Sequence, residues 1–431
     1  MFKKAYNRFL LPAMEIGFNL AAPFSKKART AVESRKKWVD VLETQLESVS
    51  RDKPRVLMHV PSVGEFLQGR AVFDELLKKH RNIALTLTYF SPSAEKISAS
   101  YEPASARSIM PIDTVRNIKR LLDIVDPGLL IYAKTDVWPN LAREARNRGV
   151  KQVLIAASLP PDAGRLNPFA RGVASQGLKA LDLLASISED DSGRFEALGV
   201  DPSKIVTTGD PRFDQTWNRA REVSETDPLF SGMPCKSPTL VAGSTWPADE
   251  DVVIEAFAAI KKRISGCRLI MAPHEPNSSH VANIVKRLFR LGLSAATLTE
   301  IESNDSQDPD VVVIDRVGVL AKLYYLGSAA FVGGSFDRRV HNTMEPACMN
   351  IPVIVGPKYS NAREAQLLIK EGGGFCVADA SEMENRLLEL FEDRGKLDNA
   401  GRAAGRLVEA NIGAAKRTAG EIERRFAALL G

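Results

Sequence analysis

The chain has 431 residues, too many for one ordinary hydrophobic core and enough for two or three domains. Its 44% hydrophobic and 26% charged residues fit a water-soluble globular body and exclude both a disordered chain and a polytopic membrane protein. The formal charge of +5 is concentrated at one end: residues 1–40 hold nine lysines and arginines against Glu15, Glu33 and Asp40, which leaves the remainder nearly neutral.

Within that basic stretch lies Phe9-Leu-Leu-Pro-Ala-Met-Glu-Ile-Gly-Phe-Asn-Leu-Ala-Ala-Pro-Phe24. It is shorter than the ~20 apolar residues a bilayer span requires, and Glu15 and Asn19 interrupt it. A signal peptide is disfavoured because Glu15 breaks the apolar run. The composition instead predicts an interfacial helix whose apolar side is buried in lipid and whose cations attract anionic headgroups. The alternative is a helix packed on the protein's own core with a solvated basic side.

From residue 55 short β-rich runs alternate with helical stretches. Strands are predicted at Arg55–Val60, Ile83–Thr88, Leu129–Ala133, Gln152–Ala156 and Lys204–Thr208, with a helix over Glu65–His80. The alternation pauses between Gly209 and Ser237, where Pro211, Asp227-Pro228, Ser231-Gly232 and Pro234 place an interdomain linker. It resumes at Thr239–Gly243, Arg268–Ala272, Val311–Ile314, Ala329–Val332, Pro352–Val355 and Phe375–Val377, and closing helices follow over Leu397–Leu430. Nearly continuous apolar strands joined by helices mean parallel sheets covered on both faces. The predicted organisation is a membrane-associated segment (1–40), a Rossmann-like domain (41–215), a linker (216–237) and a second Rossmann-like domain with closing helices (238–431). Glu302–Asp310 reads as a polar surface loop. Cys235, Cys267, Cys348 and Cys376 have no C-x-x-C spacing and read as four buried thiols.

Open α/β sheets bind ligands at the carboxyl ends of their strands. The first such end is Val60-Pro-Ser-Val-Gly-Glu65, where Gly64 permits a tight turn and Glu65 projects a carboxylate from a helix start. That carboxylate suits general-base work on a hydroxyl; equally, it complements the helix dipole. Gly243, Ser244 and Thr245 offer backbone and hydroxyl donors where a helix opens, a cradle for an anion, or a simple N-cap. Pro273-His274 sets an imidazole after a strand, and Gly333-Gly334-Ser335 lets backbone approach a ligand. Asn342 and Glu345, three apart, share a helix face, and a carboxylate there holds two vicinal ribose hydroxyls. Metal-ligand spacing, a Walker loop, a G-x-S-x-G elbow and a nucleic-acid-binding basic patch on the α/β body are all lacking.

Taken together, nine ordered blocks resemble the Kdo transferases, inverting GT-B glycosyltransferases that move 3-deoxy-D-manno-octulosonic acid (Kdo) from CMP-Kdo to a lipid A precursor. They are His59-Val-Pro-Ser-Val-Gly-Glu65, Asp136-Val-Trp-Pro-Asn140, Gly209-Asp-Pro-Arg-Phe-Asp214, Ala242-Gly-Ser-Thr245, Ala272-Pro-His274, Asp315-Arg-Val-Gly318, Phe331-Val-Gly-Gly-Ser335, His341-Asn-Thr-Met-Glu345 and Pro352-Val-Ile-Val-Gly-Pro357. The resemblance implies two Rossmann-like domains facing a central cleft, no cofactor, and a peripheral or monotopic location on the cytoplasmic face of the bacterial inner membrane. It implies Glu65 as the base and Arg212 as a cation near the leaving phosphate, with Lys134 and Asp136 beside them and Ser62 and Gly64 on the acceptor or sugar side. CMP is expected at Gly243, Ser244, Thr245, Pro273, His274, Val317, Gly318, Val319, Gly334, Ser335, Asn342, Thr343, Met344 and Glu345. Where this family carries an acid two residues before the Asp136 position, this chain has Lys134. The competing readings are a GT-B enzyme or epimerase for another nucleotide sugar, and a catalytically idle lipid-binding homologue.

Overall fold

The computed structural model describes residues 2–161, 163, 172, 175–233, 238–303 and 308–431. Cys235, the linker's last residues 234–237 and residues 304–307 of the polar loop lie outside the described residues. The chain forms two compact units, Met1–Gln215 with Ile412–Gly431, and Thr216–Asn411.

The first unit is built on seven parallel strands: β1 (Arg55–Val60), β2 (Ala84–Tyr89), β3 (Ala104–Ile109), β4 (Leu129–Ala133), β5 (Lys151–Ala157), β6 (Leu183–Ser186) and β7 (Ile205–Thr207). Their order is β3-β2-β1-β4-β5-β6-β7. Side chains alternate across the sheet, so Val56, Met58 and Val60 of β1 enter one core while Leu57 enters the other. Both faces are therefore apolar and both must be covered. The helix Val63–Leu77 covers one through Phe66, Val72, Phe73 and Leu76.

The same face takes Ala415, Ala419, Ile422 and Phe426 from the helix Ala414–Phe426. The last twenty residues thus belong to the first unit and do not close the second, as their position in the sequence had implied. Asp214 fixes the return by accepting hydrogen bonds from the backbone N–H of Gly413 (2.6 Å) and Ala415 (3.0 Å), and Thr418 donates to the Thr208 hydroxyl (2.8 Å).

Residues before β1 are helical, and they too pack on this unit: Trp38, Leu42 and Leu46 enter the core under the second face. Tyr6 donates to Asp113 (2.8 Å), whose carboxylate also accepts from the N–H groups of Asn140 and Leu141 (both 2.9 Å) at the start of the helix Pro139–Asn147. Arg35, one of the cations of the basic N-terminal stretch, turns inward. Its guanidinium donates to the carbonyls of Met110 (3.1 Å) and Phe90 (3.2 Å) and lies over the rings of Phe18 and Phe90.

The second unit holds β8 (Thr239–Thr245), β9 (Arg268–Pro273), β10 (Ala295–Thr297), β11 (Val311–Val313), β12 (Ala329–Val332), β13 (Val353–Val355) and β14 (Gly374–Cys376), all parallel, in the order β10-β11-β9-β8-β12-β13-β14. Leu240, Ala242, Leu269 and Met271 face one core, Val241, Ile270 and Ala272 the other. Residues 216–221, expected in a linker, complete the helix Pro211–Arg221, and a short helical turn follows at Pro228–Phe230. Cys267 and Cys348 are buried, whereas Cys376, last in the terminal strand β14, is exposed, against the expectation of four buried thiols. Asp308 and Asp310 of the polar loop pair with Arg268 and Lys261.

Candidate functional site

In each sheet the chain leaves a central strand toward one edge and later returns to the other side of it, at β1 and β4 in the first unit and at β8 and β12 in the second. Such reversal points open a crevice at the strand ends.

At the first, Ser62 is the N-cap of the helix Val63–Leu77 and Glu65 lies in its first turn. The Ser62 hydroxyl donates to one oxygen of Glu65, and the Lys134 ammonium lies 3.3 Å from the other. Lys134 follows β4 directly with φ +65°, a left-handed backbone that is costly for a side chain with a Cβ. The sheet holds it there through the bond from its N–H to the Ile155 carbonyl (2.8 Å). Gly64 is exposed and helical without a positive φ, so no tight turn needs it. A Cβ there would meet only open space and the Ser62 hydroxyl, which leaves the approach beside Glu65 bare.

Behind this pair His59 is fully buried; its Nδ1 lies 3.1 Å from the Thr88 hydroxyl and its Nε2 accepts from the Trp138 indole (3.0 Å). Asp136 lies 3.5 Å from the same Nε2. Arg212 opens the helix Pro211–Arg221 and is held by Asp210 through its Nε (2.8 Å) and Nη2 (2.6 Å). Asp210 also accepts from Gln68 (3.4 Å), one turn beyond Glu65. The strand ends thus bring Ser62, Glu65 and Lys134 together, while Arg212 is held by Asp210, which Gln68 of the same helix as Glu65 also contacts.

In the second unit the expected anion cradle is occupied by the protein itself. Gly243, Ser244 and Thr245 finish β8, and the helix begins only at Pro247. Asp249 and Glu250 fill its first turn, where their charge opposes an incoming anion. The Thr245 hydroxyl donates to Glu250 (3.2 Å), and a Cβ on Gly243 would strike Tyr324 and Leu320. The Gly-Gly pair serves chain packing in the same way. A Cβ on Gly333 would fall 2.3 Å from the Ser244 carbonyl oxygen, and Gly334, at φ +84°, donates to Asp249 (2.7 Å). Burial pushes the Asp249 carboxyl up, while the N–H groups of Gly334, Trp246 and Phe336 pull it down. Ser335 is fully buried, donating to Val332 O and accepting from Gly356 N.

Beside this loop lies a set of rings, of which His274 is exposed and Trp246 and His341 are half-buried. Trp246 donates from its indole to His341 Nε2 (3.0 Å), His274 stacks on Trp246 (4.7 Å) and on His341 (4.4 Å), and the Arg338 guanidinium lies 3.5 Å over Trp246. Burial, then His274 and Arg338, hold the His341 pKa down to about 4, so its Nε2 is an acceptor at neutral pH. Pro273 is buried and its neighbour His274 exposed.

Gly318, at φ +93°, has nothing within reach of a Cβ and forms an exposed corner with Val317, which is 76% exposed, and the half-buried Val319. Asn342 precedes the helix Met344–Cys348 rather than sharing a face of it: its Oδ1 accepts from Met344 N (3.1 Å) as in an Asx turn, because Pro346 confines the helix start. Thr343 and Met344 are buried. Glu345 lines a cavity of ≈ 80 Å³ together with Gly318 and with Thr216, Arg219, Ala220 and Val223 of the preceding segment. Burial raises the Glu345 carboxyl, and the Arg219 guanidinium, 3.8 Å away, and Asn342 oppose the shift.

Residues 32–215 match the family described as 3-deoxy-D-manno-octulosonic-acid transferase (kdotransferase). The 3-deoxy-D-manno-octulosonic acid transferase of Aquifex aeolicus is 28% identical over 80% of this chain and 88% of its own length. That of Haemophilus influenzae is 25% identical over 80% of this chain and 82% of its own length. The match ties residues 32–215 to the Kdo transferase family. Its members are glycosyltransferases, and both α/β units accord with the fold expected of them. Among solved structures, the UDP-GlcNAc 2-epimerase of Neisseria meningitidis bound to UDP-GlcNAc superposes with a TM-score of 0.60 over 83% of this chain and 98% of that one, at 14% identity, a likeness of fold.

Against the Kdo transferase motifs quoted from the sequence, the structure adds Trp246, Arg338 and His341 beside His274, Asp249 beneath the Gly-Gly loop, and Gln68 and Asp210 behind Arg212. One signal was available. Trp138-Pro139 and Trp246-Pro247 are the chain's two Trp-Pro pairs, each opens a helix, and each indole donates to a histidine Nε2 at 3.0 Å.

Proposed function

We propose that this protein transfers Kdo from CMP-Kdo to a hydroxyl of a lipid A precursor such as lipid IVA, with inversion at the anomeric carbon and Glu65 as general base. The acceptor oxygen forms the new bond to the anomeric carbon as the bond to the CMP phosphate breaks. The acceptor proton passes to Glu65, and CMP departs with the bonding electrons on its phosphate. Arg212 and His274 are the groups offered to that charge, Lys134 orients Glu65, and Asp136 belongs to the turn that carries Trp138 onto His59. On the donor side, the exposed ring of His274 with the half-buried rings of Trp246 and His341, the Gly318 corner and the Glu345 carboxylate form the CMP subsite. The N-terminal helices seat the enzyme on the anionic cytoplasmic face of the inner membrane, where the lipid acceptor resides.

The observation that carries this reading is Glu65 itself: a carboxylate at a strand end of the first unit, positioned by a hydroxyl and an ammonium, beside an unobstructed surface. The test is Glu65→Gln, assayed with CMP-Kdo and lipid IVA by mass spectrometry of the lipid. The amide keeps the shape and loses the basicity, so transfer should fall by a factor on the order of 10²–10⁴ with CMP affinity unchanged. Near-normal turnover would remove Glu65 from the mechanism, and tight UDP binding in place of CMP would reject the donor.

A further inference from the structure

Polar atoms withdrawn from water are nearly always paired, and each exception calls for an explanation. Among the described residues, three buried side-chain oxygens have no hydrogen-bond partner: Thr216 Oγ1, Asp315 Oδ1 and Thr343 Oγ1. Their positions converge. Thr216 lines the cavity that contains Glu345 and Gly318, Asp315 lies three residues before Gly318, and Thr343 two residues before Glu345.

Thr216 is the most telling of the three. It is only 4% exposed, on the helix Pro211–Arg221, where a threonine hydroxyl ordinarily relieves its burial by bonding the carbonyl one turn back. That bond is not made here. The hydroxyl therefore carries the cost of desolvation with no return inside the free protein. One turn along the same helix Arg219 approaches Glu345, and Ala220 and Val223 supply apolar wall that keeps polar contacts within the cavity strong.

We propose that Thr216 is a recognition residue for the donor nucleotide, its hydroxyl completing with the Glu345 carboxylate a subsite for the vicinal diol of the ribose. Each ribose hydroxyl both donates and accepts. A carboxylate satisfies only their protons, whereas a hydroxyl on the neighbouring helix satisfies what remains. This inference rests on the reading that the donor is a cytidine nucleotide.

The experiment is calorimetric titration of the full-length protein with CMP and with 2′-deoxy-CMP, together with thermal unfolding of the free protein, for the wild type, Thr216→Val and Thr216→Ser. Valine keeps the shape and removes an unpaired buried hydroxyl, so the free Thr216→Val protein should melt at the same temperature or higher. Its CMP affinity should nevertheless fall about tenfold, the worth of one well-made hydrogen bond, and its preference for CMP over the deoxy analogue should shrink. Serine should restore both. Unchanged CMP affinity in Thr216→Val overturns the proposal, and so does a joint loss of stability and affinity, which would mark a structural residue. Failure of the wild type to bind CMP would instead overturn the donor assignment on which the proposal stands.

Discussion

Asp113 shows how a single side chain binds distant segments at a cost. It is fully buried, holding Tyr6 near the N-terminus and the helix start at Asn140. Burial pushes its carboxyl from 3.8 up to about 7, against the hydrogen bonds that favour the charged form. The folded protein therefore holds this proton more tightly than the unfolded chain. The contribution is most favourable below about pH 4, declines as pH rises, and is lost by about pH 7; the distance from 3.8 to about 7 corresponds to about 4 kcal/mol. Asp113→Asn cannot titrate, so the slope of unfolding free energy against pH between 4 and 7, measured by urea denaturation, should flatten. A slope equal to that of the wild type would show that Asp113 is charged throughout. Residues differ in how far the sequence announces them. Glu65 was legible because a strand, a glycine and a first-turn acid are local. Its partner Lys134 was named from its motif, but their ion pair was not foreseen, since it depends on the pairing of β1 with β4 and on a left-handed backbone that no lysine advertises. The stack of Trp246, His274 and His341 draws on three separate loops and was invisible for the same reason.

Among the elements, strands that form clear apolar runs were readable, and short ones or ones broken by small and polar residues were not. β3 (Ala-Ser-Ala-Arg-Ser-Ile), β6 (Leu-Leu-Ala-Ser) and β10 (Ala-Ala-Thr) escaped because small residues carry little strand preference and these strands form only by pairing with neighbours. The helix Ala414–Phe426 was anticipated, its destination was not: an apolar stripe declares that a helix must be covered and is silent on which core will cover it. Ile422 is fully buried in the first unit and Phe426 nearly so. Burying such a side chain is worth about 1.5–3 kcal/mol each, and deleting residues 412–431 also strips both backbone partners from Asp214. That deletion should abolish cooperative unfolding of the first unit, followed by near-ultraviolet circular dichroism. A truncated chain with the full native signal would contradict the assignment of this helix.

At the scale of the whole molecule, the two α/β halves were legible because their strands repeat and the Gly- and Pro-rich pause divides them. The behaviour of the N-terminal segment was legible only in part. Tyr6, Leu11 and Ile112 form a small core with Met14 and Phe18 against it, so the segment does pack on the protein. Yet Phe9, Leu10, Ile16, Leu20 and Phe24 remain exposed, Phe24 by 92%. No helix among the described residues is long and apolar enough to cross a membrane. An apolar row beside exposed Lys26, Lys27, Arg29, Lys36 and Lys37 fits a helix lying in a lipid interface. Replacing Leu20 and Phe24 together by glutamate should weaken sedimentation with phosphatidylglycerol-containing vesicles by roughly two orders of magnitude, with thermal stability unchanged because neither side chain is packed. Equal sedimentation of the double variant would place the lipid contact elsewhere.

The return of residues 412–431 to the first unit has a consequence for biosynthesis. Translation delivers the seven strands of that unit early, but the part of one face beside the helix Val63–Leu77 waits uncovered while some two hundred further residues are made. The second unit, continuous in sequence, is complete before its predecessor. A nascent chain would thus present two apolar surfaces at once, an incompletely covered sheet and the exposed row of Phe9, Leu10, Ile16, Leu20 and Phe24, and the first of them is closed only when the final helix emerges.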